Sequence, residues 1–92
     1  MDEKLEALIL EELEDYKQKA PLAAVEEFRN IPRNELIRCH FGLGLYIRNT
    51  LIYPNKNKIS DLFYNAGYLE PDDMSTVILE IWHDELNKKA DK

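Results

Sequence analysis

The sequence predicts an all-α protein, a compact bundle of about five helices. Three observations carry that expectation. Apolar residues recur at helical spacing in most segments, none alternates strictly as a half-buried strand would, and Glu70-Pro71-Asp72-Asp73 is a strong helix start.

The elements follow in order. Leu5, Leu8, Ile9, Leu13 and Tyr16 form one stripe of an amphipathic helix over about 3–19, with a Glu-rich opposite face. Pro21 ends it or starts the next. Residues 21–30 read as a short helix that uses Val25 and Phe28. Pro32 can occupy the first turn of a third helix, in which Leu36, Ile37 and Phe41 open an apolar face continued by Leu43, Ile47 and Leu51. Gly42 and Gly44 leave open whether 33–53 is one helix, a kinked one or two, because each glycine costs about 1 kcal/mol against Ala inside a helix. Residues 53–58 read as a loop. Residues 59–66 read as a short helix with Ile59, Leu62 and Phe63 inward and Gly67 as its C′ residue. The last helix runs from about 72 to 88, and its wide apolar arc marks it as central. The 33–53 and 72–88 stretches are the expected core pair. The 92 residues make one domain, in which the first helix (1–19) stands apart from the body and is expected to dock on it.

Composition narrows the function classes. The net charge is −6, but residues 31–60 carry five basic groups and one acidic, between two acidic ends. Overall acidity disfavours direct nucleic-acid binding through phosphate neutralisation and suits a partner protein with a basic surface, or mimicry of a nucleic acid. No apolar run reaches the roughly 20 residues of a membrane helix, and Met-Asp-Glu-Lys lacks the layout of a secretory signal, so a cytoplasmic location is expected. One cysteine, Cys39, forms no internal disulfide and reads as a small apolar residue. His40 and His83 have no paired metal-ligand spacing, and the Gly-Leu-Gly element lacks the context of a nucleotide loop. No metal, cofactor or catalytic residue is assigned.

The stretch His40-Phe-Gly-Leu-Gly-Leu-Tyr-Ile-Arg-Asn49 is the most unusual. On a continuous wheel at about 100° per residue, His40 and Gly44 fall on the apolar side and Arg48 at its edge. His40 is then a core or semi-core histidine held by a hydrogen bond. Gly44 admits a neighbouring helix, and Arg48 pairs with an acid such as Glu80 or Glu85. Arg38, Tyr46, Asn49 and Tyr53 lie opposite, around Gly42, either as a candidate docking patch, since Tyr and Arg favour interfaces, or as a face covered by another helix of the domain, the first or the last.

Val25-Glu-Glu-Phe28, Glu35-Leu-Ile-Arg38, the His40–Asn49 stretch and Pro71-Asp-Asp-Met-Ser75 together resemble a family of small uncharacterised bacterial proteins. Its members carry a His-Phe-Gly-Leu-Gly-x-Trp-Ile-Arg-Asn signature. Tyr46 stands here where Trp is common, and Cys39 where an aromatic is common. The resemblance covers about residues 22–86, leaves out the first helix, and implies a helical domain of bacterial or phage origin without a reaction.

The function expected from the residues is a non-catalytic protein-binding domain, acting as an adaptor, inhibitor or immunity-type protein by blocking a partner surface. The alternatives are an acidic nucleic-acid mimic that inhibits a basic protein, and a small enzyme or ligand-binding domain centred on His40, Arg48 and Asn49.

Overall fold

A computed structural model describes residues 3–53 and 58–88. The loop expected at 53–58 lies, for residues 54–57, outside the described residues. The described residues form an all-α bundle: α1 (Glu3–Lys19), α2 (Leu22–Arg29), a 3₁₀ segment (Arg33–Cys39), α3 (Leu43–Ile47), a π turn (Arg48–Ile52), α4 (Lys58–Asn65) and α5 (Pro71–Lys88).

Helix α1 forms because Leu5, Ile9 and Leu13 share one face, and the fold buries all three. It packs on α4 and α5. Each such side chain contributes roughly 1.5–3 kcal/mol of burial, enough to dock a helix of this length. Helix α2 starts after Pro21, turns Val25 and Phe28 inward, and reaches α5.

Helix α5 is the axis of the bundle, in contact with α1, α2, the 3₁₀ segment, α3 and the π turn. Met74, Ser75, Ile78, Leu79, Trp82 and His83 are buried along it. Phe28 stacks on Trp82 with ring centres 5.0 Å apart, and Tyr16 meets the same ring edge-on at 5.6 Å. The far half of α5 also holds the end of α2. His83 Nε2 donates to the Ile31 carbonyl at 2.7 Å, and Asn87 Nδ2 donates to the Arg29 carbonyl at 3.1 Å. The Asn87 bond satisfies a carbonyl that the helix end leaves without an intrahelical partner, and the His83 bond holds the chain just beyond it.

Helix α4 ends in a Schellman motif. Tyr68 N donates to Phe63 O at 2.9 Å, Gly67 N donates to Tyr64 O at 3.0 Å, and Gly67 adopts φ +96°. The accompanying apolar contact is Tyr68 edge-on against Phe63.

The stretch 33–53 is neither one helix nor two regular ones. It begins after Pro32 as a 3₁₀ segment, turns at residues 40–42, resumes as a short α-helix and ends in a π turn closed by Tyr53 N donating to Arg48 O at 2.8 Å. Within the 3₁₀ segment, residues three apart eclipse. That rule sorts its side chains into columns. Leu36 and Cys39 turn inward, Glu35 and Arg38 pair on the outside at 2.9 Å, and Asn34, Ile37 and His40 form a third column. The apolar face expected for Leu36, Ile37 and Phe41 therefore fails: only Leu36 is buried, while Ile37 is 72 % and Phe41 84 % exposed. The expectation used an α-helical period where the backbone has a period of three and then a turn.

Candidate functional site

Two segments that are distant in sequence meet at Arg48. The side chain is 5 % exposed, and its guanidinium spans the gap between the His40–Asn49 stretch and the start of α5. Nη1 donates to Ser75 Oγ at 3.0 Å and Nη2 to the His40 carbonyl at 3.1 Å. Nε lies 3.5 Å from Asp72 Oδ1, and His40 Nε2 lies 3.8 Å from the other carboxylate oxygen of Asp72. Ser75 Oγ in turn donates to the Asp72 carbonyl at 3.0 Å. A planar fork of donors suits this role better than a lysine ammonium, which offers one point of charge.

The partner of Arg48 is thus Asp72 and not Glu80 or Glu85. The turn at 40–42 and the shortness of α3 bring Arg48 to the first turn of α5, about two turns away from Glu80. Glu80 pairs instead with Arg33 at 3.6 Å, beside the Arg33–Asp84 pair, in which Nε and Nη2 donate to the two carboxylate oxygens at 2.9 and 3.2 Å. This fork holds the Asp84 carboxyl below the ordinary carboxylate range. The sequence reading had not singled out Arg33 or Asp84; a cation just after Pro32 facing an acid repeat on α5 was the available signal.

Gly44 is buried, but the group that needs its missing side chain is not a neighbouring helix. A Cβ there would lie 3.1 Å from the Cys39 carbonyl oxygen and 3.3 Å from Arg48 Nη1. Gly44 is therefore the seat of the arginine. His40 is half-buried and contributes its backbone carbonyl as much as its ring.

The candidate patch around Gly42 is divided by the same turn. Arg38 is tied to Glu35, and with Gly42 it lines a groove of about 310 Å³ that also includes Tyr16 and Phe28. Gly42 is exposed, with open space where a Cβ would stand. Tyr46 packs on Tyr16 of α1, ring centres 4.7 Å apart. Burial, then the nearby Tyr46, raises the Tyr16 hydroxyl above the ordinary tyrosine range. Asn49 and Tyr53 are exposed on and just after the π turn and do not line that groove. Cys39 sits in the groove wall, where burial pushes its thiol up against the opposing effect of Arg38. A thiol so placed is a weak nucleophile.

A second concavity opens on the other side of the 3₁₀ segment. The Asn34–Ile37–His40 column forms one wall, and Thr76, Leu79 and Glu80 of α5 form the other. The cleft holds about 270 Å³, has Leu36 at its base, and is rimmed by Arg33. Phe41 lies beside it, edge-on against the His40 ring at 4.8 Å. Of the three residues once grouped as a catalytic alternative, His40 lines the cleft, Arg48 does not, and Asn49 is on the outer surface. Among the described residues no three His, Cys, Asp or Glu side chains are grouped to hold a metal ion, and no helix is long and apolar enough to cross a membrane.

Fold and site together define a small all-helical domain whose central turn is clamped to its axial helix by a buried arginine. The chain belongs to the family described as Domain of unknown function (DUF6794), whose model matches residues 10–86. The match takes in the second half of α1, which the resemblance read from the sequence had left outside. No curated protein and no solved structure matches the chain.

Proposed function

We propose that this chain is a non-catalytic protein-binding domain that works as a small adaptor, inhibitor or immunity-type protein by covering a partner's surface. The observation that carries this reading is the exposure of Ile37 and Phe41 beside the cleft between the 3₁₀ segment and α5. Burying one such side chain on association contributes roughly 1.5–3 kcal/mol, and aromatic anchors next to a pocket are the usual centre of an interface. The occupant is a large apolar side chain of the partner, with Phe41 packing on the partner in return. Basic residues on the partner would face Glu80 at the rim. The neighbouring cations support docking over chemistry, because Arg33, Arg38 and Arg48 are each engaged within the fold. A bacterial or phage setting, as the signature resemblance implies, is where the partner is to be sought.

Affinity purification from such a cell tests the reading with the native chain and an Ile37→Asp, Phe41→Ser double variant, whose sites are already in water. The expected result is a partner retained by the native chain and lost by the variant, with unchanged helical circular dichroism. Equal retention by both, or an activity that depends on the His40 side chain, overturns it.

A further inference from the structure

Helix α1 carries a second stripe beside the one it buries. At about 100° per residue, Glu3, Glu6, Ala7, Leu10, Glu14 and Lys17 fall within an arc about 100° wide. Over residues 3–10 this arc is an open face of α1, and over 10–17 the neighbouring α5 makes it a groove. Glu3, Glu6, Ala7 and Leu10 line a shallow hollow of about 350 Å³. Leu10, Glu14 and Lys17 line a second of about 140 Å³ with Trp82, Glu85 and Leu86 of α5. Leu10 belongs to both, so the two hollows run on from one another along the helix. The apolar part of the lining is Ala7, Leu10, Leu86 and Trp82. The walls carry four carboxylates, Glu3, Glu6, Glu14 and Glu85, against the single ammonium of Lys17 at one end.

We propose that this groove docks an amphipathic helical segment of another protein, one whose apolar stripe is flanked by lysines or arginines. Charge complementarity selects that occupant. An acidic or neutral segment would cover the four carboxylates without compensating them, which desolvated charge does not tolerate. A second copy of this chain would bring a net charge of −6 to an acidic wall. The open face and the groove together run from Glu3 to Lys17, about 21 Å at 1.5 Å per residue, the length of about four turns of helix. Its basic residues face Glu3, Glu6, Glu14 and Glu85, and its acidic or C-terminal end lies at Lys17. This surface is separate from the Ile37–Phe41 cleft and does not rest on the reading of that cleft.

The test uses a labelled Leu/Lys peptide of about 18 residues, long enough for the groove, with leucines at i, i+3 and i+4 spacing. One control has the same composition in permuted order and another has Glu in place of Lys. Trp82, the chain's single tryptophan, lines the groove, so its fluorescence reports occupancy alongside the anisotropy of the peptide. The amphipathic basic peptide is expected to bind, to weaken with salt, and to lose about tenfold or more in affinity, about 1.4 kcal/mol, with Leu10→Asp and with the exposed pair Glu6→Lys, Glu14→Lys. Phe41→Ser leaves it unchanged. Absence of binding, equal binding of the permuted peptide, or indifference to the Glu6/Glu14 charge reversal overturns the proposal.

Discussion

Helix α5 and the stretch Arg33–Ile52 lie against each other, and they are held in opposite ways. Helix α5 is regular over its full length and buries a continuous apolar arc, so many contacts each carry a small share of its position. The Arg33–Ile52 stretch passes through 3₁₀, turn, α and π geometry in twenty residues. Leu36, Ile47, Leu51 and Ile52 anchor it to the core, but the turn itself depends on one guanidinium and one missing side chain. A regular helix spreads its stability over its length. An irregular turn concentrates it in a few polar contacts.

That contrast can be broken from either side. Ile78→Ala, at a fully buried position of α5, is expected to cost about 2–5 kcal/mol and to lower the whole unfolding transition. Arg48→Ala removes two hydrogen bonds from a charged donor and leaves the His40 carbonyl without its partner, an expected loss of about 2–3 kcal/mol. Hydrogen exchange distinguishes the two variants. Amides of residues 40–52 should lose protection first with Arg48→Ala, before those of α5, whereas Ile78→Ala should lower protection throughout. Arg48→Lys should not restore it, since an ammonium cannot serve Ser75 and His40 together. Uniform loss of protection in Arg48→Ala would show that the clamp is not local.

A smaller effect separates the two glycines of the motif. Gly44→Ala places a methyl against the Cys39 carbonyl and the arginine, and part of that cost is offset by better helix propensity; a net loss of about 1 kcal/mol is expected by urea titration. Gly42→Ala meets open space and should stay within about 0.5 kcal/mol.

The smallest effect belongs to the exposed pair that ties the start of the 3₁₀ segment to α5. The Arg33–Asp84 fork is on the surface, so Asp84→Asn is expected to cost no more than about 1 kcal/mol at neutral pH. The sign follows from linkage. The folded carboxyl is depressed, so its contribution is fully present above the ordinary carboxylate range. It is lost as pH falls through the depressed value. The difference between Asp84→Asn and the native chain should accordingly shrink in acid and in high salt, while that of Arg48→Ala persists in salt because the arginine is buried. A salt-independent Asp84 effect would contradict this division.

The same contrast explains what the residues disclosed. Period 3.6 is written directly into α1 and α5, and Pro71 and Gly67 mark the start of α5 and the end of α4, because local backbone chemistry decides those points. All-α architecture and the axial role of the last helix were legible for that reason. The turn at 40–42 was not. A helical period carried through it puts Ile37 and Phe41 on the apolar face, and the acid expected for Arg48 lies on the wrong turn of α5. Gly44 was correctly placed on the buried side, but its occupant was a side chain from the next turn of its own helix, which no neighbour-helix argument supplies. The cleft was illegible because it arises from a 3₁₀ column facing a helix, and neither partner has an unusual sequence alone. The clamp joins two sequence elements that had drawn attention separately, His40–Asn49 and Pro71–Ser75, and only the fold shows that they are one unit.

The π turn at Arg48–Ile52 has a consequence for the chain's length. Its closing bond spans five residues where an α-helix would span four, so the segment between Ile47 and Tyr53 contains one residue more than a regular helix needs. Asn49 and Thr50 are the exposed residues of that segment. Arg48, Leu51 and Ile52 are buried along this segment, and the Ile52 carbonyl accepts a hydrogen bond from Ser60. In terms of register, the π turn shifts Tyr53 by one residue against a regular helix, so Gly44, the Arg48 guanidinium and the Ile52 carbonyl are fixed by a stretch that a one-residue deletion at Asn49 or Thr50 is expected to disturb together.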